Sequence, residues 1–199
     1  MSRTIDESKI ERIKEATMEM IVSKGYEGAS ISGIAGRAGV AEGYLYRFYK
    51  SKSELVNDLL FIHLNSLMDN LENLLNKHYS VRDIFEQMIR TLFGLANTFP
   101  ERIKFLYVLM NDYNFKIQEN QRERIFNLCK RVKETGLFSK EIRVEIDEEE
   151  IFLFGVTYPI QFINMRLKNF FNRSELGEKE IIRVLKICIN SLKRDNYES

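Results

Sequence analysis
Residues 30–54 read SISGIAGRAGVAEGYLYRFYKSKSE, and the spacing within them decides the fold. Ser30 suits a helix N-cap, because its side-chain oxygen accepts from an unpaired N–H of the first turn. Ile31, Ile34, Ala35 and Ala38 then recur on one helical face, with Ala35 small where a crossing helix comes close. Gly39 follows where the chain must turn, and glycine takes a positive φ without a Cβ penalty. Val40, Leu45 and Phe48 anchor a second short helix folded back on the first. Two short helices joined by a glycine turn make the unit that lays its second helix in the major groove of DNA.

The outward side of that second helix carries Ala41, Glu42, Gly43, Tyr44, Tyr46 and Arg47. Gly43 leaves room for the backbone to approach a duplex, and Tyr44 is placed to read base edges. Ser30, Tyr49, Lys50 and Lys52 sit where flanking phosphates would lie, while Tyr46 and Arg47 suit either role. Between Ser30 and Lys52 the charges are Arg37, Arg47, Lys50 and Lys52 against Glu42 alone. Ser51 and Glu54 have the spacing of a capping box, so a new helix begins at once. Its N-terminus, with Lys52, offers a further phosphate site.

At these residues the sequence resembles the TetR (tetracycline-repressor-like) family of transcriptional regulators. The resemblance lies in Gly25-Tyr26, Ser30 to Ala35, Ala38 to Gly43 and Leu45 to Leu55. It covers the first quarter to third of the chain closely and the rest only in architecture. Gly33 stands where the family commonly carries an acidic residue, and Gly36 where a longer side chain is usual. Each glycine inside a helix costs about 1 kcal/mol relative to alanine, so packing is expected to hold this helix. The resemblance implies an all-α chain of about nine helices with two parts. A three-helix DNA-binding domain over residues 1–54 would be joined by a long helix to a helical ligand-binding and dimerisation domain over 55–199. It also implies a homodimer on a near-palindromic operator, most simply a repressor relieved by a small effector.

Composition agrees. The 199 residues include two prolines and ten glycines, and the net charge is +1. Binding to nucleic acid must therefore come from a local patch. Cys129 and Cys188 lie far apart without metal-ligand neighbours, as buried thiols do in a reducing cytoplasm. The longest uncharged run, Ile151 to Met165, is too short to span a bilayer. His63 and His78, the only histidines, lack a carboxylate three residues earlier, so the Glu-x-x-His of di-iron bundles is missing. There is no phosphate-binding glycine loop, Cys-x-x-Cys or nucleophile elbow. The expectation is a cytoplasmic protein that is not an enzyme, with no cofactor or metal. The alternatives are a helix-turn-helix that binds protein instead of DNA and a helical-bundle enzyme.

Along the chain, residues 1–7 read as a tail, in which Arg3 is either disordered or touches a minor groove. A first helix spans about Asp6 to Lys24, with Ile10, Ile13, Thr17, Met20 and Ile21 inward and Gly25 as its C-cap. A long helix runs from Ser51 to about His78 and links the two parts. Ser80 caps a helix to about Asn97, and Pro100 opens the next, which reaches about Tyr113. A helix from Phe115 to Thr135 is stopped by Gly136, and Leu137 to Ile146 form a loop. Asp147 and Glu150 signal a helix to about Phe171 with a kink at Pro159, and Gly177 precedes a last helix, Glu178 to about Arg194.

The last two helices are apolar on several sides and so must be covered on several sides. That pattern points to a two-fold interface through Phe154, Gly155, Tyr158, Phe162, Ile181, Leu185, Cys188 and Leu192, with an internal core as the alternative. Phe93, Phe99, Phe105, Tyr107, Met110, Tyr113, Phe126, Tyr158, Phe162 and Met165 have the composition of a pocket for a small hydrophobic or aromatic effector. The same residues serve equally as plain core.

Overall fold
The computed structural model describes residues 7–193. Arg3 and Arg194 lie outside the described residues. Among the described residues every regular element is helical, and one isolated β-bridge pairs Ile142 with Lys193. The chain divides into two compact units. One holds the residues up to His63 together with Lys104–Ile117; the other holds Leu64–Ile103 and the chain from Gln118 onward.

In the first unit, α1 (Glu7–Gly28) bends at Gly25, whose φ of 74° and ψ of 172° belong to a region open essentially to glycine alone. Ile13, Ala16, Thr17, Met20 and Ile21 form its buried face, while Ile10 is half-buried. They meet Ile31, Ile34, Ala35 and Ala38 of α2 (Ile31–Ala38). Arg37 of α2 pairs with Glu19 of α1 at 2.6 Å. The four-residue α3 (Glu42–Leu45) buries Leu45 against them. The long helix α4 (Lys52–Asn76) starts here with Leu55, Val56 and Leu59 buried.

Residues 104–117 join this unit through contacts that no local pattern announces. The buried Asn57 amide donates to the carbonyls of Ser53 (2.9 Å) and Lys116 (3.1 Å). The Phe115 ring meets Tyr26 edge-on at 5.2 Å. The sequence places the boundary inside the long helix near residue 55; the compact units part within the same helix, between His63 and Leu64.

In the second unit, α5 (Val81–Thr98) contributes Ile84, Phe85, Ile89 and Phe93 to the core and is capped by Ser80, whose hydroxyl oxygen accepts from Asp83 N–H. α6 (Pro100–Met110), which belongs to the first unit from Lys104 onward, ends earlier than the sequence suggests, and α7 (Glu119–Phe138) begins later. Gly136 does not stop α7. It lies inside the helix, and the position is held to glycine because a Cβ there would come within 2.8 Å of Val81 and 2.9 Å of Ile142.

α8 (Glu148–Phe152) opens on the expected capping box, with Asp147 accepting from Glu149 and Glu150 and Glu150 accepting from the Asp147 N–H. It continues through a π-turn at Leu153–Thr157 into α9 (Tyr158–Leu167). The expected break at Pro159 takes this form: Tyr158 N–H reaches back to Leu153 O, one residue further than in an α-helix. Taking these three as one rod, the described residues hold nine helices, the last being α10 (Glu178–Leu192). α10 packs on α5, where Arg90 grips both Glu178 oxygens at 2.7 and 2.6 Å.

Candidate nucleic-acid interface
The turn between α2 and α3 is built as the sequence requires. Ser30 Oγ accepts from Gly33 N–H at 3.1 Å and fixes the start of α2. Gly39 ends it in the left-handed region (φ 65°, ψ 39°), while Val40 N–H closes back on Ala35 O at 3.0 Å. Gly33 has a steric reason: a Cβ there would lie 2.8 Å from Met20 Cε and 3.1 Å from Ser30 Oγ. Nothing lies within 4 Å of a Cβ built on Gly36 or Gly43.

Ala41, Glu42, Gly43, Tyr46, Arg47 and Lys50 are all exposed, as is Ser30. Tyr44 is half-buried, its ring 5.2 Å from Phe48 with Arg47 at 6.0 Å and Lys9 Nζ at 5.6 Å. Lys9 is a cation the sequence does not single out, because it comes from α1 and only tertiary folding sets it beside Tyr44. The surface therefore presents one aromatic ring bracketed by two cations next to an open glycine.

Three residues with phosphate roles expected from sequence also hold the frame. Lys52 Nζ donates to Tyr26 O at 2.7 Å and lies 4.2 Å from the Tyr26 ring centre, locking the start of α4 to the end of α1. The Tyr49 hydroxyl donates to Asp58 at 3.0 Å; burial, then the Asp58 charge, pushes its pKa well above the usual tyrosine range. Ser30 caps α2. Ser51 Oγ accepts from Glu54 N–H, but Glu54 reaches back to Lys50 N–H (2.6 Å), one residue beyond an ordinary capping box. The positive charge read from sequence is trimmed too, since Arg37 is paired with Glu19.

The expected interface and effector residues fall less simply. Gly155, Phe162, Ile181, Leu185, Cys188 and Leu192 are buried within the chain's own second unit. Their periodicity reports burial, and burial against α5 satisfies it. Phe154 and Tyr158 are half-buried. Outward on α9 and α10 stand Met165, Ile182 and Ile187, the second 54% exposed.

Of the aromatic set, Phe105, Tyr107, Met110 and Tyr113 belong to the first unit, and Phe93, Phe99, Phe126, Tyr158, Phe162 and Met165 to the second. Phe93 and Phe105 are core, Phe93 stacking on Phe162 at 6.1 Å, whereas Tyr113 is 94% exposed. Phe126 alone among them lines a groove of about 420 Å³ between α7 and the start of the α8 rod.

A capped helix, a left-handed glycine turn and a short helix with an exposed aromatic and basic face make a helix-turn-helix, the unit that lays its second helix in a major groove, in a chain whose second unit is all-helical. Residues 13–59 match the family described as bacterial regulatory proteins, tetR family. Over 68 residues it is 35% identical to the uncharacterized HTH-type transcriptional regulator YvdT of Bacillus subtilis, a stretch covering 34% of this chain and 35% of that protein. The chain spans about a third of the length of the curated relatives it matches.

Similarity of fold extends much further. A TetR family transcription regulator from Marinobacter aquaeolei superposes with a TM-score of 0.76 at 20% identity, covering 96% of this chain and 98% of that one. FadR from Bacillus subtilis in complex with stearoyl-CoA gives 0.71 at 18% identity, covering 92% and 99%. Among the described residues no helix is long and apolar enough to cross a membrane.

Proposed function
We propose that the protein is a transcriptional repressor that binds a near-palindromic operator as a homodimer and is released by a small amphiphilic effector. The observation that carries the DNA half is the surface of exposed Gly43, Tyr46, Arg47 and Lys50 around half-buried Tyr44, set on a left-handed glycine turn. Tyr44 reads bases, and Gly43 admits the duplex. Arg47, Lys50 and Lys9 meet phosphates, with Ser30, Tyr49 and Lys52 holding their backbone in place and adding polar contacts.

The dimer docks through the outward face of α9 and α10 around Met165, Ile182 and Ile187, not through the buried residues beneath it. A two-fold pair sets its reading helices about 34–36 Å apart, one duplex turn. Stearoyl-CoA bound to FadR supports an amphiphile as the class of effector for a second unit of this fold. α4 is common to both units, so a ligand that prefers one arrangement of the second unit loosens DNA by population shift.

The experiment is selection from a random duplex pool at two salt concentrations. Enrichment of a near-palindrome, with affinity falling steeply as salt rises, is the expected result. Salt-insensitive binding to a protein partner with no duplex enriched would transfer the helix-turn-helix to protein recognition.

A further inference from the structure
The groove between α7 and the α8 rod carries chemistry that the DNA surface does not use. Its floor is apolar, from Ile125, Phe126, Phe152 and Leu153. Its rim is acidic, because the first turn of α8 supplies Glu148, Glu149 and Glu150 in succession. Arg122, the one basic residue lining it, pairs with Glu119, and Lys133 pairs with Glu148 at 3.5 Å, so carboxylates still outnumber cations at the rim. The negative field reaches the floor: the Cys129 thiol is pushed up to about 12, first by burial and then by the Glu148 charge. A volume of about 420 Å³ is that of a site for a drug-sized molecule.

We propose that this groove binds an amphipathic organic cation, its apolar body on Phe126, Phe152 and Leu153 and its charge against Glu148 and Glu149. The acidic rim and apolar floor together select that class: an anionic amphiphile of equal size meets the same floor and an opposing charge. Glu150 is excluded from the pair because its carboxylate accepts from Asp147 N–H in the capping box.

α7 also connects the groove to α4. Phe126 and Cys129 line the groove. Arg124 of the same helix donates to Asn65 (2.5 Å), Asp69 (2.6 Å) and Glu72 (3.2 Å) on successive turns of α4. A cation seated in the groove therefore bears on the helix that grips α4. The consequence for DNA rests on the repressor reading above; the binding itself does not.

The test uses tetraphenylphosphonium and tetraphenylborate, ions of matched shape and opposite charge. The chain has no tryptophan, so Phe126→Trp, at an exposed position, gives a single fluorophore in the groove, and calorimetry on the unsubstituted protein gives an independent affinity. Tetraphenylphosphonium is expected to bind at least about tenfold tighter than tetraphenylborate and to change the Trp emission. The double substitution Glu148→Gln, Glu149→Gln leaves the Asp147–Glu150 cap intact and should remove that preference.

Equal affinity for the two ions, binding without a change at position 126, or a preference that survives the double substitution would each overturn the proposal. If the cation binds as described while operator affinity stays the same, the groove stands and the effector half of the repressor reading falls.

Discussion

Gly33 and Gly36 are both glycines inside α2, both depart from the family's usual residues, and only one has a packing reason. A methyl on Gly33 would press on Met20 Cε and Ser30 Oγ, whereas a methyl on Gly36 meets nothing within 4 Å. Gly36→Ala should therefore stabilise the protein by up to about 1 kcal/mol. Gly33→Ala should gain less or lose stability; urea midpoints of the two variants decide it, and equal gains would mean that Met20 yields freely. The same resolution separates roles on the DNA surface. Lys50→Ala is expected to weaken binding to all sequences alike and to flatten the salt slope by about one unit. Tyr44→Ala should change which sequence is preferred. A changed preference from Lys50→Ala would show the two roles to be exchanged.

Whole elements are joined by ionic grips whose pH dependence follows from their geometry. Arg90 on α5 holds the Glu178 carboxylate at the start of α10 below the usual carboxylate range, chiefly through the hydrogen bonds it donates. A depressed carboxyl pKa contributes stability that is present above the unfolded value and lost as pH falls through the folded one. Glu178→Gln should thus flatten the fall in urea midpoint below about pH 4.5, where an unpaired glutamate begins to protonate. An unaltered acid limb would show that solvent already screens the pair. The elements themselves were largely legible. Ser30, Ser80 and Asp147 cap where their spacing said, because capping is settled within one helical turn. Gly136 misled for the opposite reason: its lack of a side chain answers to Val81 and Ile142, residues remote from or beyond its own helix.

At the scale of the molecule, the second unit keeps apolar side chains outside after its core is complete. Ile182 and Ile187 on α10 and Met165 on α9 remain exposed, although α10 already buries Ile181, Val184, Leu185, Cys188 and Leu192. If that outer face seats a second copy, Ile182→Glu should give a folded monomer by sedimentation, with circular dichroism unchanged, and should weaken binding to a two-half-site duplex far more than to a half site. Persistence of a dimer would move the interface elsewhere. Leu185→Glu is no substitute test, since that side chain lies in the core and its change would unfold the unit.

The sequence by itself determined the class of the fold, the helix-turn-helix and which residues of it face outward. Each depends on interactions within a few residues: a cap, a left-handed glycine, an apolar period. Tertiary structure alone decided what those residues touch. It set Lys9 beside Tyr44, turned Lys52 and Tyr49 toward Tyr26 and Asp58, and joined residues 104–117 to the first unit. It also separated the inward face of the last helices from the outward one. Helical periodicity shows that a face is buried but is the same whether the covering surface comes from the chain itself or from a partner. Only the packing of α5 against α10 tells the two apart.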